Sequence, residues 1–280
     1  MIGSLSGGCI EDEIAERAKA VLQSGQPVVM SFDTRRRFGC HGKIDILIER
    51  VESSFFAGLA RYVDERRSCV VITTSEGSSV MSPPDNGSKL PNEEGAALSL
   101  KEWEANSFPC SPLIQEVHPR IRLLIFGEGP DSRPLREFCH LLGWEPLEIR
   151  DATALPFDPD RWTAAIVKSH NYGRDFATLA KLLPLNLRYV GLIGPKKRRD
   201  QLLNDLLEIG VAMNAGFFAP AGLDLNAETP EEIALAVVSE ISRVFAEASG
   251  QSLRDRKLPI HSAMNVAGLQ PTPGWQTSAP

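Results

Sequence analysis

Residues 121–132, Ile-Arg-Leu-Leu-Ile-Phe-Gly-Glu-Gly-Pro-Asp-Ser, constrain the fold more than any other stretch. Five of the first six are apolar, as a parallel strand buried on both faces requires. The run breaks at Gly127 and Gly129, and Pro130 suits a first helical turn, where a missing N–H costs nothing. Strand, glycine turn and helix N-terminus together present backbone N–H groups to a phosphate. Ser132 stands where a dinucleotide fingerprint has Gly or Ala, and it is small enough for the same helix–strand packing. The next strand ends in Arg150-Asp151, where Arg150 suits a phosphate and Asp151 a ribose hydroxyl. The stretch reads as a phosphate or nucleotide cradle, or else as a purely structural turn.

The alternation of strand and helix continues from there. Strands are expected over residues 121–126, 145–149, 164–168 and 189–193, with Leu135, Phe138, Leu141 and Leu142 on one face of the first helix. Such βαβ repetition gives a parallel sheet with right-handed crossovers, and ligands bind beyond the carboxyl ends of its strands. Loops 127–132, 169–175 and 194–199 should therefore meet at one crevice. His170 and Asp175 are the titratable pair to expect there, with a turn or capping role as the alternative. Gly194-Pro195 repeats the glycine–proline opening, and Lys196, Lys197, Arg198 and Arg199 then oppose the helix dipole. A nearby anion would relieve them; a solvated helix face is the other reading. Thr229-Pro-Glu-Glu232 is a capping box opening a helix to about residue 247, with Ile233, Val237, Ile241 and Val244 as its buried stripe.

The front of the chain carries different chemistry. Gly7-Gly8-Cys9 leads straight into a helix with apolar residues at helical spacing, ended by Gly25. A thiol at a helix N-terminus is biased toward thiolate, though Cys9 also fits as a small buried turn residue. Strands are expected over 28–32 and 44–48, bracketing a loop with three arginines and Gly39-Cys40-His41-Gly42. That loop suits an anion beside a thiol, or a solvated face. Cys40 and His41 are adjacent, and neighbouring side chains seldom form a nucleophile–base couple. A transition metal takes Cys9 and Cys40 as soft ligands if the fold brings them together. A helix over 55–65 and a strand at 69–74 follow, then an irregular arm over 77–112 with room for an edge hairpin. The domain boundary is expected at 108–118. This gives a small α+β domain over 1–110, a Rossmann-like α/β domain over 118–248, and a tail over 249–280, disordered from 267.

A net charge of −6 argues against a nucleic-acid binder. Neither a membrane span nor a leader is expected, since no apolar run approaches the length of a span and no charged-then-apolar stretch opens the sequence. Five scattered cysteines fit neither a disulfide framework nor regular zinc spacing, so a reducing cytoplasm is expected.

Taken together, several stretches resemble the xanthine dehydrogenase accessory factor family (XdhC/CoxI). They are Gly3-Ser-Leu-Ser-Gly-Gly-Cys-Ile-Glu11, Gly39-Cys-His-Gly42, the strand into Gly127-x-Gly129, Ser169-His170 with Asp175, Tyr189-Val-Gly-Leu-Ile-Gly194, Pro220-Ala-Gly-Leu-Asp224 and Thr229-Pro-Glu-Glu-Ile-Ala234. The order and spacing of these stretches make the likeness specific. The resemblance implies a small cysteine-bearing domain joined to a Rossmann-like domain. It also implies a chaperone, rather than an enzyme, that binds molybdenum cofactor (molybdopterin) and helps insert it into a molybdenum hydroxylase such as xanthine dehydrogenase. A cofactor sulfurase and a second copy of the chain are the further partners implied. Cys9 and Cys40 would contact molybdenum. Gly7, Gly8, Gly127, Gly129, Ser132, His170, Asp175, Gly194, Lys196 and Lys197 would hold the rest of the cofactor.

Three departures stand out. Members have more chain before the Ser-Gly-Gly-Cys turn, so the expectation is either a small domain without its first strand or a misassigned start. His41 replaces a glycine of Gly-Cys-Gly-Gly. Glu128 and Pro130 stand where Gly-Ala-Gly-His is common, and an inward Glu128 would repel phosphate. Two other functions compete: an NAD(P)-dependent oxidoreductase with His170 as acid/base, and a degenerate relative that binds partner proteins only.

Overall fold

The computed structural model describes residues 10–33, 43–74, 77–81, 90–91, 97–98, 113–150, 155 and 157–256. They fall into two compact units divided between Pro119 and Arg120.

The first unit opens with α1, Glu11–Ser24, three acids in its first turn suiting the helix dipole. Gly25 ends it in a left-handed conformation, its N–H returning to Val21 O. Strands β1, Val28–Asp33, and β2, Lys43–Ile48, pair antiparallel. Helix α2, Ser53–Asp64, leads to β3, Cys69–Thr74, whose first four residues are all buried. β3 is the centre of an antiparallel sheet, flanked by β4, Gly77–Met81, and β7, Leu113–Val117. Between them β5, Leu90–Pro91, pairs with β6, Ala97–Leu98. The expected irregular arm thus contributes β4 beside β3, and β7 occupies the stretch expected to be a boundary. The reason is β3 itself: an apolar strand buried on both faces needs hydrogen-bonding neighbours on both edges.

The second unit is the expected α/β sheet. Its elements are β8, Arg122–Phe126; α3, Ser132–Leu141; β9, Glu145–Ile149; β10, Thr163–Val167; α4, Tyr172–Leu182; β11, Tyr189–Leu192; α5, Lys196–Glu208; β12, Phe217–Phe218; and α6, Pro230–Phe245. Among the described residues all five strands are parallel, in the order β12-β11-β10-β8-β9. β10 is wholly enclosed, as is β8 from Leu123 onward. One sheet face packs Leu124 and Val167 against Leu179 of α4 and Leu202 of α5. The other packs Ile125 and Ile166 against Leu135 of α3 and Val237 of α6. Alternate residues serve opposite layers, so both sets must be apolar.

Helix α6 starts as expected. Thr229 Oγ1 accepts from Glu232 N, and Glu232 Oε2 accepts from Thr229 N and Glu228 N at 2.9 Å each. Those backbone donors, Thr229 first, hold the Glu232 carboxyl below its ordinary range. Val237 and Ile241 are sealed, with Ile233 and Val244 partly buried beside them.

Three local expectations are corrected. Pro130 lies in a turn before α3, closed by Ser132 N–H to Gly129 O at 3.1 Å, so it is not a first-turn proline. Pro195 is the extended N-cap of α5, not its first helical residue. The inner face of α3 carries Leu135 and Cys139, whereas Leu141 is 82% exposed and Leu142 is also exposed. Leu142 is the cap and Gly143 turns left-handed, so the chain leaves the helix as those leucines appear.

Candidate functional site

Strand order reverses between β8 and β10, and the crevice beyond their carboxyl ends is where such sheets place ligands. Gly127 leaves β8 at φ +123°, and a Cβ there would lie 2.6 Å from the Lys168 carbonyl oxygen. Only glycine lets these two exit turns touch. Gly129 has φ +147°, and its Cβ would meet Asp131 Oδ1 at 2.6 Å. Ser132 is enclosed, with Oγ aimed at Gly127 O at 3.4 Å. The turn is thus closed on itself at one end.

At this edge lies a cavity of about 490 Å³, lined by Phe126, Gly127, Glu128, Arg150, Ser169 and Arg174, among others. Arg174 sits in the first turn of α4, where its backbone N–H donates to the Asn171 side chain at 3.0 Å. Arg150 Nε lies 2.9 Å from Glu128 Oε1, and both side chains are largely in solvent, at 89% and 69% exposure. Such an exposed pair is weakly held and can be given up to a stronger anion. The two guanidinium groups offer charge-assisted donors, which is the chemistry of phosphate recognition.

Behind the glycine turn sits Lys168, just past β10 and fully enclosed. Its Nζ donates to Asp131 Oδ1 at 2.9 Å, and His170 Nε2 lies 3.6 Å from Asp131 Oδ2. Burial pushes the Asp131 carboxyl up, but the Lys168 hydrogen bond and charge, its own backbone N–H and His170 outweigh it, leaving it below the ordinary range. His170 itself has φ +54°.

Asp175 is also fully enclosed. It accepts from Ser169 N–H at 3.1 Å, from the Ser169 hydroxyl and from the Arg198 guanidinium. It ties the loop after β10 to the first turn of α5. His170 and Asp175 therefore work apart: the first faces Asp131, the second Arg198.

Of the expected binding residues that are described, Gly127 lines the cavity. Gly129 and Ser132 complete the turn behind it. Gly194, Lys196 and Lys197 are not among the lining residues, and both lysines are exposed. Their neighbours Arg198 and Arg199 are engaged, Arg199 with Asp200 and with Ala219 O at 3.2 Å. Gly7, Gly8, Cys9, Cys40, His41 and Asp151 lie outside the described residues. Sequence reading missed Arg174, Lys168 and Asp131. Arg174 looked like a surface arginine of an amphipathic helix; only its place in the first turn after a carboxyl-end loop could have singled it out.

The two described cysteines are free and buried. Burial pushes the Cys139 thiol up to about 12 and raises Cys69 as well. Neither is a thiolate at neutral pH. Native protein treated with iodoacetamide at pH 8 should leave both unmodified in a peptide map, and denaturation should expose them. Modification of Cys139 in folded protein would contradict this burial. Among the described residues no group of three or more His, Cys, Asp or Glu is arranged to hold a metal ion. Nor is any described helix long and apolar enough to cross a membrane.

Comparison with known proteins bears on this edge directly. Residues 123–241, the sheet and helices that form it, match the XdhC Rossmann domain, and residues 1–33 match the XdhC and CoxI family. The sheet unit belongs to the XdhC Rossmann-domain family. It is 28% identical to a protein of Bacillus subtilis described as a probable subunit of xanthine dehydrogenase, over 86% of this chain and 83% of that one. A shorter match, 26% identical over 47% of this chain and 28% of the relative, is to the uncharacterised protein YqeB of Escherichia coli. The fold is shared with a crystal structure from Bacillus halodurans described as a xanthine dehydrogenase. The TM-score is 0.68 at 23% identity, covering 90% of this chain and 85% of that one. The motifs from Gly127 to Ala234 thus lie on a Rossmann sheet whose switch point carries an arginine-lined cavity.

Proposed function

We propose that the protein binds molybdenum cofactor and assists its insertion into a molybdenum hydroxylase such as xanthine dehydrogenase. The observation that carries this reading is the cavity at the β8/β10 switch point in a sheet unit of this family. Its volume lies in the usual range of small-molecule sites. Arg174 and Arg150 suit the phosphate end of the cofactor, and the bare backbone at Gly127 lets that group approach closely. The cofactor's metal prefers soft ligands, which Cys9 and Cys40 supply. In this reading the protein is a cytoplasmic chaperone rather than an enzyme. It works as a homodimer, with a cofactor sulfurase as a further partner.

The test uses the full chain, purified without oxygen and mixed with molybdopterin. Protein-bound pterin, read as fluorescence after oxidation, should co-elute with the chain on gel filtration. Arg174→Ala should weaken binding about tenfold or more, the loss of one charge-assisted contact. Cys9→Ala with Cys40→Ala should weaken it as well. Absence of pterin from the protein fraction would overturn the reading. Saturable binding of reduced or oxidised nicotinamide nucleotides would favour an oxidoreductase using His170. Capture of a molybdenum hydroxylase without pterin would favour a partner-only relative.

A further inference from the structure

A glycine turn between a buried strand and a helix ordinarily leaves its N-terminal end open to a ligand's phosphate. Here a carboxylate of the chain itself stands at that end. Asp131 is the last residue before α3, and its Oδ1 lies 2.6 Å from where a Cβ on Gly129 would sit. The same oxygen accepts from Lys168 Nζ at 2.9 Å, and the other faces His170. Lys168 is fully enclosed, so its charge is not offered to solvent. The protein has supplied its own anion to the pocket of positive charge behind the turn. A second carboxylate, Glu128, projects from the turn beside the cavity mouth. The remaining cations at this edge, Arg174 and Arg150, stand to one side of the turn, on the first turn of α4 and the end of β9.

We propose that Asp131, held by Lys168, is a specificity residue: it fills the anion position of the glycine turn, so the cavity accepts one phosphate group on Arg174 and Arg150 and rejects a dinucleotide's pyrophosphate. This rests on the reading that the cavity takes the anionic end of the cargo, and it narrows that cargo to a phosphomonoester. A pyrophosphate laid along the turn would place its charge against Asp131 and Glu128 with no free cation beneath it. A monoester placed toward Arg174 meets a guanidinium, the Ser169 side of the cavity and the bare edge of Gly127. It also displaces Glu128 from Arg150, an exposed pair that yields at little cost. Specificity of this kind is built from a repulsive element as much as from an attractive one.

The experiment compares phenyl phosphate, as a monoester, with ADP and NAD, as pyrophosphate esters, by calorimetric titration of the full chain. Wild-type protein should bind phenyl phosphate at least about tenfold tighter than either pyrophosphate. Asp131→Asn keeps the shape and frees Lys168, and should shift that ratio toward ADP by about tenfold or more. Because removing the counterion of an enclosed lysine can harm folding, Glu128→Gln is the companion. That exposed change leaves the core untouched and should shift the ratio the same way by about threefold. Arg174→Ala should lose phenyl phosphate binding. Tighter binding of ADP or NAD by wild type, an unchanged ratio in a folded Asp131→Asn or in Glu128→Gln, or no binding of either ester class would each overturn the proposal. Molybdopterin failing to bind while the monoester preference holds would instead remove the cargo assignment and leave the selectivity standing.

Discussion

Asp175→Ala should destabilise the sheet unit by about 3–5 kcal/mol, the usual cost of breaking an enclosed ion pair from one side. The carboxylate is fully enclosed and holds three donors from two segments: the Ser169 N–H, the Ser169 hydroxyl and the Arg198 guanidinium. Alanine leaves the Ser169 N–H and the Arg198 guanidinium facing a void, while the Ser169 hydroxyl keeps the Asn171 carbonyl oxygen at 3.1 Å; Arg198, whose side chain is only 17% exposed, has little water to turn to. Urea unfolding read by hydrogen exchange in peptides of β8 to β11 should show a midpoint lower by about 1–3 M. Adding Arg198→Met should recover part of the loss, since the orphaned charge is then gone. A shift below about 0.5 kcal/mol, the level of an ordinary surface change, would mean that this pair does not hold the loop to α5.

The second large effect is expected at Gly127. Alanine there would set its Cβ 2.6 Å from the Lys168 carbonyl oxygen and 2.7 Å from both the Lys168 carbonyl carbon and the Ser169 nitrogen. All three are backbone atoms, so no side chain can rotate aside. Strain at φ +123° adds to this overlap, and together they should cost about 2–6 kcal/mol. Gly129→Ala gives the contrast. Its nearest neighbour is the Asp131 carboxylate, which can swing away at the expense of its bond to Lys168. Gly129→Ala should therefore keep more stability than Gly127→Ala in the same unfolding assay. Equal losses would show that the exit turns of β8 and β10 are free to separate.

These residues also mark how far the sequence could be read. Strands β8, β9, β10 and β11 were legible to within a residue: β8, β10 and β11 as apolar runs, and β9, Glu-Pro-Leu-Glu-Ile with no fully buried residue, as the second strand of the βαβ unit. A strand enclosed on both faces has nowhere to put a polar side chain, and a run of apolar residues records that directly. The capping box of α6 was legible because its four residues are contiguous. β7 was not. Its Gln115 and Glu116 break the pattern, and its partner β3 lies far back in the chain. Lys168 was invisible for a different reason. A lysine after an apolar run looks like a strand surfacing into water; that a glycine turn from another strand covers it depends on sheet order. Arg174 shares that limit, since which surface arginine faces a crevice is set by strand order, while helical spacing fixes only the face of its own helix. Leu141 and Leu142 show the opposite error. Their spacing suited the buried stripe, but the helix ended beneath them.

The two lips of the crevice are rooted in different hydrophobic layers. The turn after β8 enters α3, whose Leu135 and Cys139 pack on one side of the sheet; the loop after β10 enters α4, whose Leu179 and Leu182 pack on the other. The width of the gap is thus set by two separately tunable foundations. A volume change at Cys139, well away from any bound molecule, would tilt one wall and leave the opposite wall where it stands. Relatives can therefore regrade the fit of this opening through silent interior swaps, with the residues that meet the ligand unchanged.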